Sequence, residues 1–189
     1  MSAWTITKTA YRGALPTLAV SAVGGLLAGS VLGGMDAELS EAPGLLVMVP
    51  AFLAIRGSVY GSLGSRLSSA LHQGLIDPVF EVDERLANAV IAAILNGLLA
   101  SLFAAVLTFG LLSALGADVA PLRTLVFIAL VGGALAGIAL VVVIVTVVFT
   151  GFRRGMNPDN LVGPAVTTAG DVFGMASLFV ATRIALAVT

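Results

Sequence analysis

The chain has no cysteine and a single histidine, His72. Disulfides, thiolate metal sites and cysteine nucleophiles are therefore excluded, as is any centre built from several histidines. Charge is nearly as scarce: charged residues make up 10% of the 189 residues, where an ordinary soluble domain carries roughly a quarter. The acidic stretch of Asp36, Glu38 and Glu41 contains no Lys or Arg. No glycine-rich loop suited to cradling phosphate is found, and no apolar segment holds a cluster of acids. Gly57-Ser58 and Gly64-Ser65 scan as nucleophile turns, but the only histidine lies at a segment end. An enzyme is not expected.

What is abundant is apolar sequence, 59% of the chain, with a mean hydropathy of +1.10. This composition predicts an all-α, polytopic membrane protein with five transmembrane helices, at about 16–35, 43–71, 88–115, 121–150 and 162–188. Residues 1–15 read as a short cytoplasmic or interfacial lead-in, with Trp4, Lys8, Tyr11 and Arg12 as anchors, and 16–189 as one transmembrane domain. The first apolar run is long for a cleaved leader and four more follow, so a retained helix is expected. Gly25, Gly29 and Gly33 repeat at the spacing that lets membrane helices approach closely, and Gly133 and Gly137 repeat it.

The second segment is longer than the ~20 residues a span needs. Its later half, RGSVYGSLGSRLSSA, is rich in Gly and Ser and carries Arg56 and Arg66. It is expected to be either strongly tilted or broken near Arg56 and Gly57, a break that would free backbone carbonyls as oxygen ligands. The loop HQGLIDPVFEVDER, with Asp77, Glu81, Asp83 and Glu84, reads first as a solvated connector and second as a regulatory cation site. Asn96, beside Gly97 in the third segment, reads as interhelical glue or as a pathway residue.

Charge placement sets the orientation. With five spans, Lys8, Arg12, Arg66, Arg85, Arg153 and Arg154 share one side, and Arg123 and Arg183 the other. The rule that positive loops stay inside then predicts an inner N-terminus and an outer C-terminus.

The fifth segment, entered through NPDNLVGPAVTTAGD, carries one acid deep in apolar sequence, Asp171. An acid at that depth costs a few kcal/mol and marks a functional site by default. Arg56 is the only charge at comparable depth, so an Asp171–Arg56 pair in a non-transporting scaffold is one reading. A proton relay lacks a second intramembrane acid. A cation site is the third reading: the carboxylate, the Thr167 and Thr168 hydroxyls and backbone carbonyls are all oxygen ligands, which suits a hard divalent ion such as magnesium. One carboxylate per chain is few for such an ion, and a symmetric dimer would supply two.

Taken together, VPAFLAIRGSVYGSLGSRLSSA in the second segment, the Asn96-Gly97 pair and NPDNLVGPAVTTAGD entering the fifth resemble the MgtE-type magnesium transporter family, and most closely its eukaryotic solute-carrier relatives. The resemblance runs from about Pro16 to Val188. It implies a homodimer in the cell membrane with a cation pore along the dimer axis, and partners limited to the bilayer, a second copy and the ion, with no nucleic acid. The transported ion would be magnesium, with manganese and cobalt as alternatives. By residue, it implies Asp171 as the principal ion-site residue, reached through water. Carbonyls near Gly57 and Ser58 would contribute, and Asn96, Thr167 and Thr168 would line the pore. Three departures stand out: Ser58 replaces the family's usual Asn, Tyr60 stands where the solute-carrier relatives have an acid, and about fifteen residues precede the first span where bacterial members carry sensor domains.

Overall fold

The computed structural model describes residues 3–81 and 83–188, and the side chains of all of these except 3–10, 12–14 and 16–17. The expected anchors Trp4, Lys8 and Arg12 thus have side chains outside the described residues. Among the described residues every regular element is helical: α1 (Ala3–Gly33), α2 (Asp36–Glu41), α3 (Leu45–His72), α4 (Glu84–Ala114), α5 (Leu122–Arg153) and α6 (Asp159–Val188). Helices α3 to α6 are each long and apolar enough to cross a bilayer, and α1 adds a shorter apolar stretch, Leu18–Gly33. The five expected segments therefore appear as four helices that meet the length and apolarity of a span and, on α1, a shorter apolar stretch among the described residues. Helix α1 begins at Ala3, and the acidic connection folds into α2.

Local chemistry sets the helix ends. Asp83 accepts a hydrogen bond from the Leu86 amide at 2.8 Å and caps α4, satisfying an amide the first turn would leave free. Helices α3, α4 and α5 each run out into a glycine of positive φ, Gly74, Gly116 and Gly155, where a side chain would be strained.

Helix α3 is continuous from Leu45 to His72, which removes the expected break at Arg56 and Gly57. A broken backbone at membrane depth must find other partners for each freed group, whereas a continuous helix pairs them internally. Of its Gly and Ser residues, Gly64 and Ser68 are buried in the packing, while Gly57 and the other serines stay exposed. A Cβ at Gly64 would lie 2.5 Å from Val162 of α6, and one at Gly174 of α6 would lie 2.8 Å from Leu53.

Helix α6 is central, packing against α1, α3 and α5 and touching α2, while α4 lies against α3 and α5. The glycine expectations divide here. Gly133 and Gly137 are closely packed, but a Cβ at Gly25, Gly29 or Gly33 would meet nothing within 4 Å among the described residues. On α1 it is Gly24 that seats the helix, since a Cβ there would lie 2.5 Å from Thr168. A four-residue spacing marks a face, but not which neighbour the face meets.

At one end of the bundle the Ala120 amide donates to the Pro43 carbonyl at 2.8 Å. There too Arg183 Nε donates to Glu38 Oε1 at 2.8 Å, tying α2 to the end of α6. The bond from Arg183 holds the Glu38 carboxyl below the usual carboxylate range. A depressed folded pKa adds stability that is present above the unfolded value of about 4.3 and is lost as pH falls through the folded value. Glu38→Gln should therefore lower the melting temperature near neutral pH, and the gap to wild type should close on acidification. A gap independent of pH would contradict this.

Candidate functional site

The Asp159 amide bonds to Asn157 Oδ1 at 3.0 Å, and α6 starts there, three residues before the expected 162. Pro164 then falls inside the helix. It removes only the bond to the Asn160 carbonyl, so early in the helix it is tolerated. From this start, Asn160, Gly163, Thr167 and Asp171 recur every three or four residues and share one stripe. The first three are exposed and Asp171 is partly exposed. Asp171 lies twelve residues beyond Asp159 in a 30-residue helix, about 18 Å along the axis.

Asp171 forms no hydrogen bond or ion pair among the described residues, where the one salt bridge is Arg183–Glu38. Thr167 Oγ1 donates to the Gly163 carbonyl at 2.9 Å, which leaves its lone pairs free to accept. A Cβ at Gly170 would sit 3.5 Å from Arg56 Cβ. Gly57 and Asp171 directly follow that contacting pair, so they lie at one level of the bundle. Gly57 is exposed, with open space where a side chain would be.

The proposed Asp171–Arg56 pair does not form. Arg56 is fully buried, and its guanidinium turns away from α6 toward α4 and α5. One amine donates to Ser101 Oγ and the other to the Gly133 carbonyl at 3.3 Å. The group also lies over the Phe52 ring at 4.1 Å. Its stem meets α6 at Gly170 and Gly174. The charge that would repel a cation at Asp171 is thus buried in the core between α3, α4 and α5. Scaffold pairing of these two residues loses its physical basis.

Tyr60 fills the core one turn further along, fully buried, with a hydroxyl that has no hydrogen-bond partner. That hydroxyl lies between two glycines: a Cβ at Gly97 would approach it to 2.9 Å, and one at Gly137 would collide with it. Gly137→Ala should cost about 1–3 kcal/mol by overpacking. Tyr60→Phe should stabilise by about 1 kcal/mol, because it removes an unsatisfied buried donor, and should relieve most of the Gly137→Ala loss. Thermal unfolding of the two single variants and the double variant measures this, and strict additivity would rule out the contact.

The remaining expected residues are divided among other surfaces. Thr168 faces α1, with its Oγ1 3.4 Å from Ser21 Oγ. Ser58 and Asn96 line a groove of about 400 Å³ between α3 and α4 that also contains Arg66. The acids of the 73–83 loop and the α4 start do not converge: among the described residues no group of three His, Asp or Glu side chains is placed to hold a metal. Two features were not anticipated, α2 with its Glu38–Arg183 pair and the role of Ser101 as partner to Arg56. The second had a sequence signal, since Ala93, Gly97, Ser101 and Ala104 fall on one small-residue face of α4, all buried.

These features define a multi-pass helical membrane protein with an unpartnered carboxylate deep in its central helix. Residues 49–181 match the MgtE family model, described as a divalent cation transporter, and the chain belongs to that family. It is 28% identical to solute carrier family 41 member 3 of Rattus norvegicus over 92% of this chain and 38% of the relative. The corresponding protein of Mus musculus is 29% identical over 71% of this chain and 28% of its own length. Solute carrier family 41 member 2 of Xenopus laevis is 33% identical over 71% and 24%. The chain thus spans well under half the length of each of these relatives.

Proposed function

We propose that this chain carries magnesium or a related divalent cation across the cell membrane as a homodimer, N-terminus inside, with Asp171 of each copy facing the dimer axis. The observation that carries this reading is the partly exposed, unpartnered Asp171 on an outward stripe with Asn160, Gly163 and Thr167. A carboxylate facing lipid at that depth is costly. Covering it with the same stripe of a second copy removes it from lipid and brings two carboxylates to one ion. Magnesium keeps several of its waters and takes one or two carboxylates, so one Asp171 from each copy suits a hydrated ion. Thr167 and the bare backbone at Gly57 are the companions of Asp171 in this site. Ser58 and Asn96 line a neighbouring groove, and Thr168 seats α1.

Membership in a divalent cation transporter family supports the reading. The test is uptake into proteoliposomes of the purified chain, with magnesium, manganese and cobalt compared at varied membrane potential. Saturable uptake of at least one of these ions is expected. No flux of any of them from folded protein would refute the proposal.

A further inference from the structure

Three adjoining clefts at one end of the bundle share a single residue, Arg66. One, of about 250 Å³, also has Arg85 in its wall, with Leu75 and Ile76. The second, of about 320 Å³, is lined by Ser62, Ser65, Ser69 and Gln73. The third is the α3–α4 groove, which runs from Arg66 to Ser58, about 12 Å of helical rise deeper. No acid lines any of the three. Asp83 and Glu84 lie close in sequence to Arg85, but neither forms part of these walls, and Asp83 is committed to the Leu86 amide.

The two arginines are presented differently. Arg85 Nη1 donates to the Leu75 carbonyl at 3.0 Å, which orients the guanidinium and leaves four of its five donors free. Arg66 is exposed and makes no hydrogen bond or ion pair among the described residues. Both sit at the end of the bundle that also holds Arg153, bonded to the Pro78 carbonyl. Arginine forks match phosphate oxygens in geometry and charge. A basic pocket between helices at the level of the headgroups has the character of an anionic lipid site.

We propose that this cleft binds an anionic phospholipid, with its phosphate between Arg66 and Arg85. The serines and Gln73 face the polar headgroup, and the first part of one chain enters the α3–α4 groove past Ala89 and Ala92. The site is separate from Asp171 and does not depend on the transport reading. Its occupant would brace α3 against α4 at the level where the 73–83 loop leaves the bundle.

The test is lipid retention by the purified chain in neutral detergent, counted by native mass spectrometry after incubation with phosphatidylglycerol or with phosphatidylcholine of the same chains. Wild type should retain phosphatidylglycerol in clear preference. Arg66→Gln should lower that retention about tenfold, the loss expected for one charge-assisted contact, and Arg66→Lys should keep part of it. Arg123→Gln, at the opposite end, should change nothing. Ala92→Phe blocks the groove without altering charge and should also lower retention, which keeps the test decisive if Arg66→Gln disturbs the fold. Equal retention by wild type, Arg66→Gln and Ala92→Phe would overturn the proposal. Displacement of the lipid by millimolar inorganic phosphate, with Ala92→Phe behaving as wild type, would assign the arginines to a free anion and overturn it as well.

Discussion

Proteoliposomes carrying Asp171→Asn should take up magnesium at least about 100-fold more slowly than wild type. A charge-assisted contact is worth about 1.5–3 kcal/mol. A symmetric site loses one from each copy, and about 3 kcal/mol in total already corresponds to about two orders of magnitude. Stability should move little, because Asp171 has no hydrogen-bond or ion-pair partner among the described residues to lose. Ligand linkage separates the two roles further. Magnesium at 100 times its dissociation constant should stabilise wild type by about 2.7 kcal/mol, and this increment should vanish in Asp171→Asn. Asp171→Glu keeps the charge on a longer arm and should fall between the two. Folded, dimeric Asp171→Asn protein with wild-type flux would remove Asp171 from the ion path.

Arg56 should respond in opposite directions to two substitutions. Arg56→Ala removes a fully buried side chain whose stem packs on Gly170 and Gly174 and whose guanidinium covers Phe52, and should destabilise by about 2–5 kcal/mol through the cavity left behind. Arg56→Met keeps most of that volume and discards a buried charge that has no counter-ion and an unsatisfied Nε. Exchanging a buried ionic group for an apolar one of similar size is often neutral, or stabilising by about 1–4 kcal/mol. The partners left behind are not stranded, since Ser101 Oγ still donates to the Gly97 carbonyl at 2.7 Å. Thermal unfolding in detergent reads both changes. If Arg56→Met were as damaging as Arg56→Ala, the guanidinium itself would be joining α3, α4 and α5. If Asp171→Asn changed the cost of Arg56→Met substantially, the two residues would be coupled despite the geometry.

The division between legible and hidden features follows from what the two charged residues have around them. Asp171 stood out because its neighbours along the chain are apolar, and an acid in such a run is informative without any knowledge of the fold. Arg56 stood out equally, but the direction of its long side chain was not legible. Pairing with Asp171 looked reasonable on depth alone. The stem packs where α3 approaches α6 at Gly170 and Gly174, and the guanidinium bonds to acceptors on α4 and α5. The same reasoning applies to the break expected in α3. Gly and Ser weaken a helix in water, but between packed helices they are the residues that allow contact, and an intact backbone pairs its own polar groups.

The sequence by itself determined the membrane class, the helical fold, the apolar segments to within a few residues, and the position of Asp171 as an acid deep in apolar sequence. All of these depend on composition and spacing along one chain, which local physics reads directly. Only the tertiary structure decided that Thr167 shares an outward stripe with Asp171 while Thr168 faces α1. It also placed Ser58 and Asn96 with Arg66 in a separate groove, and Glu38 with Arg183. Those outcomes depend on which faces of neighbouring helices meet, and a helical period defines faces without naming their neighbours.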